Sequence, residues 1–265
     1  MALSKRLLIS LRDRLGPRAR RYAELLRVVA PFIASGGARF ERECNICGYE
    51  GAFYPAGFPS GQAIRLDAGC PSCGSLERQR FLKLWVDANA AAISGRSVLH
   101  FAPENCVRKF IEPLASKYVS ADIGDHRTID LHLNIENIDL PDSSFDVAIC
   151  SHILEHVDDA KALSELRRIL KPGGLLLVMV PIVDAWTETY ENPSVNSNKG
   201  RCLEFGQGDH VRYYGNDIGA RMAKAGFDVS FSVSGGPDVS RFALTRGERV
   251  FICKRAAASE CEKAA

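Results

Sequence analysis

The chain has 265 residues, 46% of them hydrophobic and 25% charged, and a net charge of +2. Those figures leave room for one α/β domain with a full core and a small attachment, and they exclude a disordered, collagen-like or chain-wide polybasic protein. The charge is unevenly placed: residues 1–40 carry nine Lys/Arg against Asp13 and Glu24, so that segment is +7 and the remainder −5 (2 − 7).

In residues 4–34, Leu7, Leu8, Leu11 and Leu15, then Leu25, Val28, Val29 and Phe32, recur at helical spacing around a break at Gly16-Pro17. The spacing predicts a pair of amphipathic helices with basic outer faces. Such helices pack on a domain or lie on an anionic membrane surface, and both readings stay open. The opening MALSKRLLISLRDR lacks a long apolar run and a small-residue cleavage site, so no signal peptide is expected. No apolar stretch reaches the length of a membrane span. The nine cysteines are odd in number and unevenly spaced, which argues against a secreted disulfide framework. The expected location is therefore a reducing cytoplasm, with peripheral contact at the inner membrane face through residues 1–35 as an option.

Residues 41–75 are rich in Gly, Pro and Cys. Two repeated units, Cys44-Asn45-Ile46-Cys47-Gly48 and Cys70-Pro71-Ser72-Cys73-Gly74, each place two thiols three residues apart. Glycine after the second thiol permits a tight backbone turn. Two such knuckles predict one closed, tetrahedral four-thiolate site for a structural Zn2+, with Cys44, Cys47, Cys70 and Cys73 as ligands. The loop between them holds Tyr49, Phe53, Tyr54 and Phe58 but only one basic residue, Arg65, which makes nucleic acid the less favoured partner. Fold stabilisation or a lid over a substrate fits better.

A helix is expected over residues 76–93, in a segment (76–96) that joins the metal module to the main domain. From Ser97 strands and helices alternate: SVLHFA, then the helix VRKFIEPLA, KYVSADI, FDVAICS, the helix DDAKALSELRRIL, LLLVMVP, the helix NDIGARMAKAG, and the closing strands FDVSFSVS and RVFICKR. Such alternation predicts a doubly wound, mostly parallel sheet over 97–256, with 257–265 as a tail. In that architecture a ligand sits at the carboxyl ends of the strands, where their order switches. The turn after VLHF and the carboxylate of Asp122, at the end of the next strand, are the expected edges of a nucleoside site.

The segments VLHFAPE, YVSADI, LNIENIDLPDSSFDVAICSHILEHVDD, RRILKPGGLLLVMVP and AGFDV resemble the class I S-adenosylmethionine-dependent methyltransferases of the type 11 group, over about 60% of the chain. The resemblance implies a seven-stranded Rossmann-like sheet with S-adenosylmethionine as cofactor. It implies that Asp122, with Ile123 beside it, holds the ribose. Asn134, Ile135 and Glu136 are then placed at the adenine, and Ser151 and His152 at the methionine end. The family's glycine-rich loop corresponds here to Phe101, Ala102, Pro103 and Glu104, with no glycine; Ala102 is small enough to stand in, and Glu104 is placed to take the amino group. CGSLERxR and VLHFAPE resemble a zinc-containing subgroup, many of which look associated with surface-glycan biosynthesis.

Residues 182–215 form a long aromatic and polar connection, a composition that commonly carries function. Trp186, Tyr190, Arg212 and Tyr213 are candidate substrate contacts, Arg212 for an anionic group. His210 is the leading candidate base because imidazole titrates near neutrality, with Asp209 or Glu204 to orient it and His152 as a further catalytic candidate. The expected reaction is O-methylation of a hydroxyl on a sugar or glycan-type acceptor. An RNA methyltransferase that grips phosphates through the metal module and basic segment, and a non-catalytic interaction protein, are the alternatives; the oligomeric state is left open.

Overall fold

The computed structural model describes residues 41–57, 65–124 and 129–256, together with Ala30. The expected basic helices over 1–40, apart from Ala30, as well as Phe58 and the tail over 257–265, lie outside the described residues. Two small antiparallel pairs open the described chain: β1 (Arg42–Glu43) with β2 (Glu50–Gly51), and β3 (Tyr54–Ala56) with β4 (Arg65–Gly69). They carry the two cysteine knuckles.

Helix α1 (Glu77–Ala88) follows, its first amide Leu76 N donating to Gln79 Oε1 at 2.6 Å. Its apolar residues Phe81, Leu82, Trp85 and Val86 pack into the core on one face of the main sheet. The segment expected as a linker is thus an integral helix of the α/β layer, because its apolar stripe recurs at helical spacing and has a sheet to cover.

The sheet strands are β5 (Ser97–Phe101), β6 (Lys117–Asp122), β7 (Leu131–His132), β8 (Phe145–Ser151), β9 (Leu170–Met179), β12 (Phe227–Val233) and β13 (Arg249–Arg255). Their spatial order is β12-β13-β9-β8-β5-β6-β7, with β13 antiparallel to both neighbours and the other pairs parallel. This is the seven-stranded, mostly parallel, doubly wound arrangement expected. The chain runs outward from β5 through β6 to β7, then crosses back to β8 on the other side of β5. The switch in strand order therefore lies between β5 and β8, and the crevice above it is where such sheets take ligands.

The central strands are apolar throughout because both faces are covered. Leu176 and Val178 enter one core; Leu175, Leu177 and Met179 enter the other. Helices α2 (Asn105–Ile111), α3 (Asp159–Ile169) and α5 (Ile218–Lys224) flank the sheet. The N-cap of α3 is Asp158, whose carboxylate accepts from Lys161 N at 3.2 Å. The expected LKPGG turn falls within an irregular first half of β9, where the register to β8 shifts. The long connection after β9 folds as β10 (Tyr190–Glu191), α4 (Asn198–Phe205) and β11 (Arg212–Tyr213), and a short α6 (Gly236–Arg241) precedes β13. No helix among the described residues is long and apolar enough to cross a membrane.

Candidate functional site

The four cysteines converge. Cys44 Sγ lies 3.6 Å from Cys73 Sγ, Cys47 Sγ lies 3.6 Å from Cys70 Sγ, and all four sulfurs fall within 4.8 Å of one another. Tetrahedral thiolates around an ion with bonds of about 2.3 Å are about 3.8 Å apart, so the donor set fits such an ion. The knuckles match one another: Gly48 N donates to Cys44 O and Gly74 N to Cys70 O, and both glycines adopt φ +73. That left-handed conformation is the reason each unit ends in glycine. Burial pushes the Cys70 thiol up to about 12, a cost that a bound cation offsets by holding the thiolate.

Arg80 fixes this module to the sheet domain. It is fully buried and its guanidinium donates to the carbonyls of Ala68, Ser75, Phe242 and Ala243, while lying 4.7 Å from the Phe53 ring centre. One side chain thus bridges the second knuckle, the aromatic loop and the chain after α6.

The cofactor residues that the resemblance implies gather at the carboxyl ends of β5 and β6. Ala102 follows β5 with φ +47, the conformation glycine ordinarily supplies, and its amide donates to Ala121 O at 2.8 Å. A glycine-free loop therefore still makes the turn, with alanine's small side chain bearing the strain. Asp122 ends β6 with one carboxylate oxygen accepting from Gly124 N at 2.9 Å, beside Ile123, which is 75% exposed. A carboxylate flanked by an uncovered apolar side chain suits a ribose with an adjoining flat base. Phe101 is buried in the core, which leaves only its backbone for a ligand.

Ile135, Glu136, Asn134 and Glu104, also expected in this crevice, each make contacts within the protein. Ile135 is 5% exposed and belongs to the hydrophobic core. Glu136 Oε1 accepts from Asp158 N at 2.8 Å and Asn134 Oδ1 from Glu136 N at 2.9 Å, which makes both tethers of this loop. Glu104 is bound by Arg78 at 2.8 Å and by Gln79; its second oxygen is buried without a partner and remains available to an ammonium group.

Beside the crevice lies a cavity of about 560 Å3. Its walls come from four places: Arg65, Glu77 and Arg78 of the metal module and α1; His152, Glu155 and His156 after β8; Phe205, His210 and Tyr213 of the long connection; Glu248 and Arg249 at the start of β13. His152 follows β8 with φ +54, a strained position for a side chain larger than glycine's. Its Nδ1 lies 3.2 Å from Glu155 Oε1, and its Nε2 is buried without a partner. Glu155 is 1% exposed. Burial pushes its carboxyl up, but the hydrogen bond and charge of His152 outweigh that and hold it below the ordinary range. Burial lowers His210, and burial also raises Glu248, which makes the latter a candidate proton carrier that its sequence context, RGERVF, does not reveal.

The remaining calls divide. Tyr213 lines the cavity; Trp186 and Phe205 stand edge to face against it, and Tyr190 packs against both of them, at ring-centre separations of 5.7–6.5 Å. Arg212 is corrected from a substrate contact to a structural residue: it is 7% exposed and pairs with Glu191 at 2.7 Å while donating to Leu154 O and Val157 O. Asp209 does not orient His210; its carboxylate lies 3.4 Å from His156 Nδ1. Glu204 accepts from the Tyr190 hydroxyl instead.

Residues 92–178 match the family described as methyltransferase domain. The match covers a third of the chain, 87 of 265 residues. Among curated relatives, the chain is 33% identical over 119 residues to the ubiquinone/menaquinone biosynthesis C-methyltransferase UbiE of Vibrio campbellii, covering 43% of this chain and 46% of that protein. It is 35% identical over 101 residues to an uncharacterised transposon protein of Streptomyces fradiae, covering 38% and 28%. The chain spans less than half the length of these relatives. Among solved structures, 1,6-didemethyltoxoflavin-N1-methyltransferase of Burkholderia thailandensis, with bound S-adenosylhomocysteine, aligns over 68% of this chain and 78% of that one at 14% identity and a TM-score of 0.49. The residues matched by that family, 92–178, include β5, Ala102, Asp122 and His152, while the cysteine module and most of the cavity's aromatic wall lie outside them.

Proposed function

We propose that the protein is an S-adenosylmethionine-dependent methyltransferase that methylates a hydroxyl of a sugar or glycan-type acceptor, and that the four cysteines hold a structural Zn2+. The observation that carries the reading is His152: a base positioned at the carboxyl end of β8, paired with buried Glu155, its Nε2 unpartnered and the ring facing the cavity. S-adenosylmethionine, when bound, supplies an electrophilic methyl group on sulfur.

This chain's residues do the rest. Asp122 accepts the ribose hydroxyls, Ile123 covers the base, and Glu104 receives the ammonium group. His152 Nε2 takes the proton of the attacking hydroxyl, while Glu155 fixes the ring through Nδ1, as a buried acid does in a nucleophile–histidine–acid relay. Phe205 and Tyr213 offer faces for a sugar ring, and Glu248 and Arg249 offer polar edges for its hydroxyls. The Vibrio relative is named for C-methylation, and a hydroxyl acceptor is preferred here because the cavity holds a base and paired charges. Residues 1–35, with their basic excess, would hold the enzyme at the inner membrane face near a lipid-linked acceptor.

The test incubates the full chain with S-adenosylmethionine and saccharide, quinol and RNA acceptors, and reads methylation by mass spectrometry. Methylated saccharide, lost on His152→Ala, is the expected result. Methylation of only RNA or quinol overturns the acceptor class, and failure to bind S-adenosylmethionine overturns the enzyme.

A further inference from the structure

Around Glu155 the chain gathers more metal-ligating side chains than proton transfer needs. Glu155, His156 and His210 each bring one ligand atom to within 4.8 Å of the others. Two come from the 3-10 turn Leu154–His156 after β8, and the third from the loop before β11; Val211 N donates to Glu155 O at 2.9 Å and locks these segments together. The two imidazoles stand edge to face with ring centres 4.7 Å apart.

Two atoms of this group are unaccounted for. Glu155 Oε2 and His210 Nδ1 are both buried without a hydrogen-bond partner, in residues 1% and 6% exposed. A buried carboxylate oxygen left without a partner is destabilising, so its retention calls for a ligand. Both residues border the cavity. His156 Nδ1 faces Asp209, at 3.3 Å from its carbonyl and 3.4 Å from its carboxylate. That is the carboxylate–histidine arrangement that orients metal-binding imidazoles.

We infer that Glu155, His156 and His210 form a second metal site, for a borderline divalent ion such as Zn2+ or Fe2+, distinct from the four-cysteine cluster. Two imidazoles and a carboxylate are the donor set such ions favour. Ligands around one ion with bonds of about 2.0–2.2 Å stand about 3–3.6 Å apart, so side-chain rotation of about an ångström closes the site. Three protein ligands leave coordination positions open toward the cavity. Resting on the hydroxyl-acceptor reading above, those positions would take acceptor oxygens, with a vicinal diol as the matching class; the ion site itself does not depend on that reading.

The test uses the full chain, with the four-cysteine site loaded with Zn2+, titrated with Co2+ in the absence of cofactor and acceptor. One further equivalent is expected, with weak visible bands and no thiolate charge-transfer absorption. Glu155→Gln, His210→Ala and the half-exposed His156→Ala should each lose that equivalent, and His156→Ala should keep the wild-type far-UV spectrum. The inference falls if wild type takes up no further Co2+, or if the additional equivalent survives in a folded His156→Ala protein. Because no methyl transfer is read, an inactive enzyme would leave this outcome intact.

Discussion

Two side chains near the first strand set opposite constraints on the crevice. Asp122 is half-buried and has one oxygen free of backbone contacts, so its carboxylate is placed to accept a bidentate pair of hydroxyls. Asp122→Ala should weaken S-adenosylmethionine binding by about 1.5–3 kcal/mol, one charge-assisted contact, measured by calorimetry. Unchanged affinity would move the ribose elsewhere. His100, one strand earlier, is wholly buried with Nδ1 2.8 Å from the Tyr118 hydroxyl. Burial holds its imidazole down at about 4. The folded state therefore stays neutral while the unfolded chain takes up a proton near pH 6.5, so stability present above that pH is lost as pH falls toward 4. The full effect is on the order of 3 kcal/mol. Denaturant midpoints between pH 7 and 4 should fall less steeply for His100→Gln, which keeps a polar partner for Tyr118; parallel slopes would show that His100 does not drive the acid sensitivity.

At the scale of elements, the cavity's aromatic wall depends on one turn. Gly206 ends α4 with φ +76, and a Cβ there would sit 2.1 Å from the Tyr213 hydroxyl. Gly206→Ala should cost about 1–2 kcal/mol in stability and push Tyr213 off the wall. Steady-state kinetics should show a raised acceptor KM with an unchanged cofactor Kd; equal changes in both would mean Tyr213 does not line the acceptor site. The sheet itself was legible in the chain because β8 and β9 are apolar runs bounded by turn residues, and Asp122 and the CxxCG knuckles were legible because their chemistry lies in local spacing. The elements α4, α6, β10 and β11 were not. They are short and polar, and they form only because tertiary partners hold them. Arg212, expected to hold an anionic acceptor group, is buried because Glu191 and the 154–157 turn close over it. Arg78 and Glu248 reach the cavity only through folding, so nothing in their local sequence marks them.

Across the whole molecule, the four-cysteine module is tied to the chain after α6 and borders the cavity through Arg65. Arg80 ties the second knuckle to Phe242 and Ala243, Arg42 reaches Ser240 O at 2.6 Å and Arg241 pairs with Glu43 at 2.6 Å. The module supplies Arg65 and α1 supplies Glu77 and Arg78 to the cavity wall, whereas Ala102 and Asp122 sit at the ends of β5 and β6, which pair with β8 and β7. Arg80→Met would strand four carbonyl acceptors and should cost on the order of 3–5 kcal/mol, a Tm drop of roughly 10 °C. Stripping the four-thiolate ion with a chelator, or Cys47→Ser, removes the folding energy of the module at its source. If the ion served only overall stability, acceptor and cofactor binding would fail together as the fold melts. The division of contacts argues otherwise: below the melting point the chelated protein should bind S-adenosylmethionine with near-wild-type affinity while its acceptor KM rises, and limited proteolysis should open the chain between residues 41 and 75 first. Parallel loss of both affinities, or cleavage beginning within the sheet, would show that the module and the crevice form a single cooperative unit.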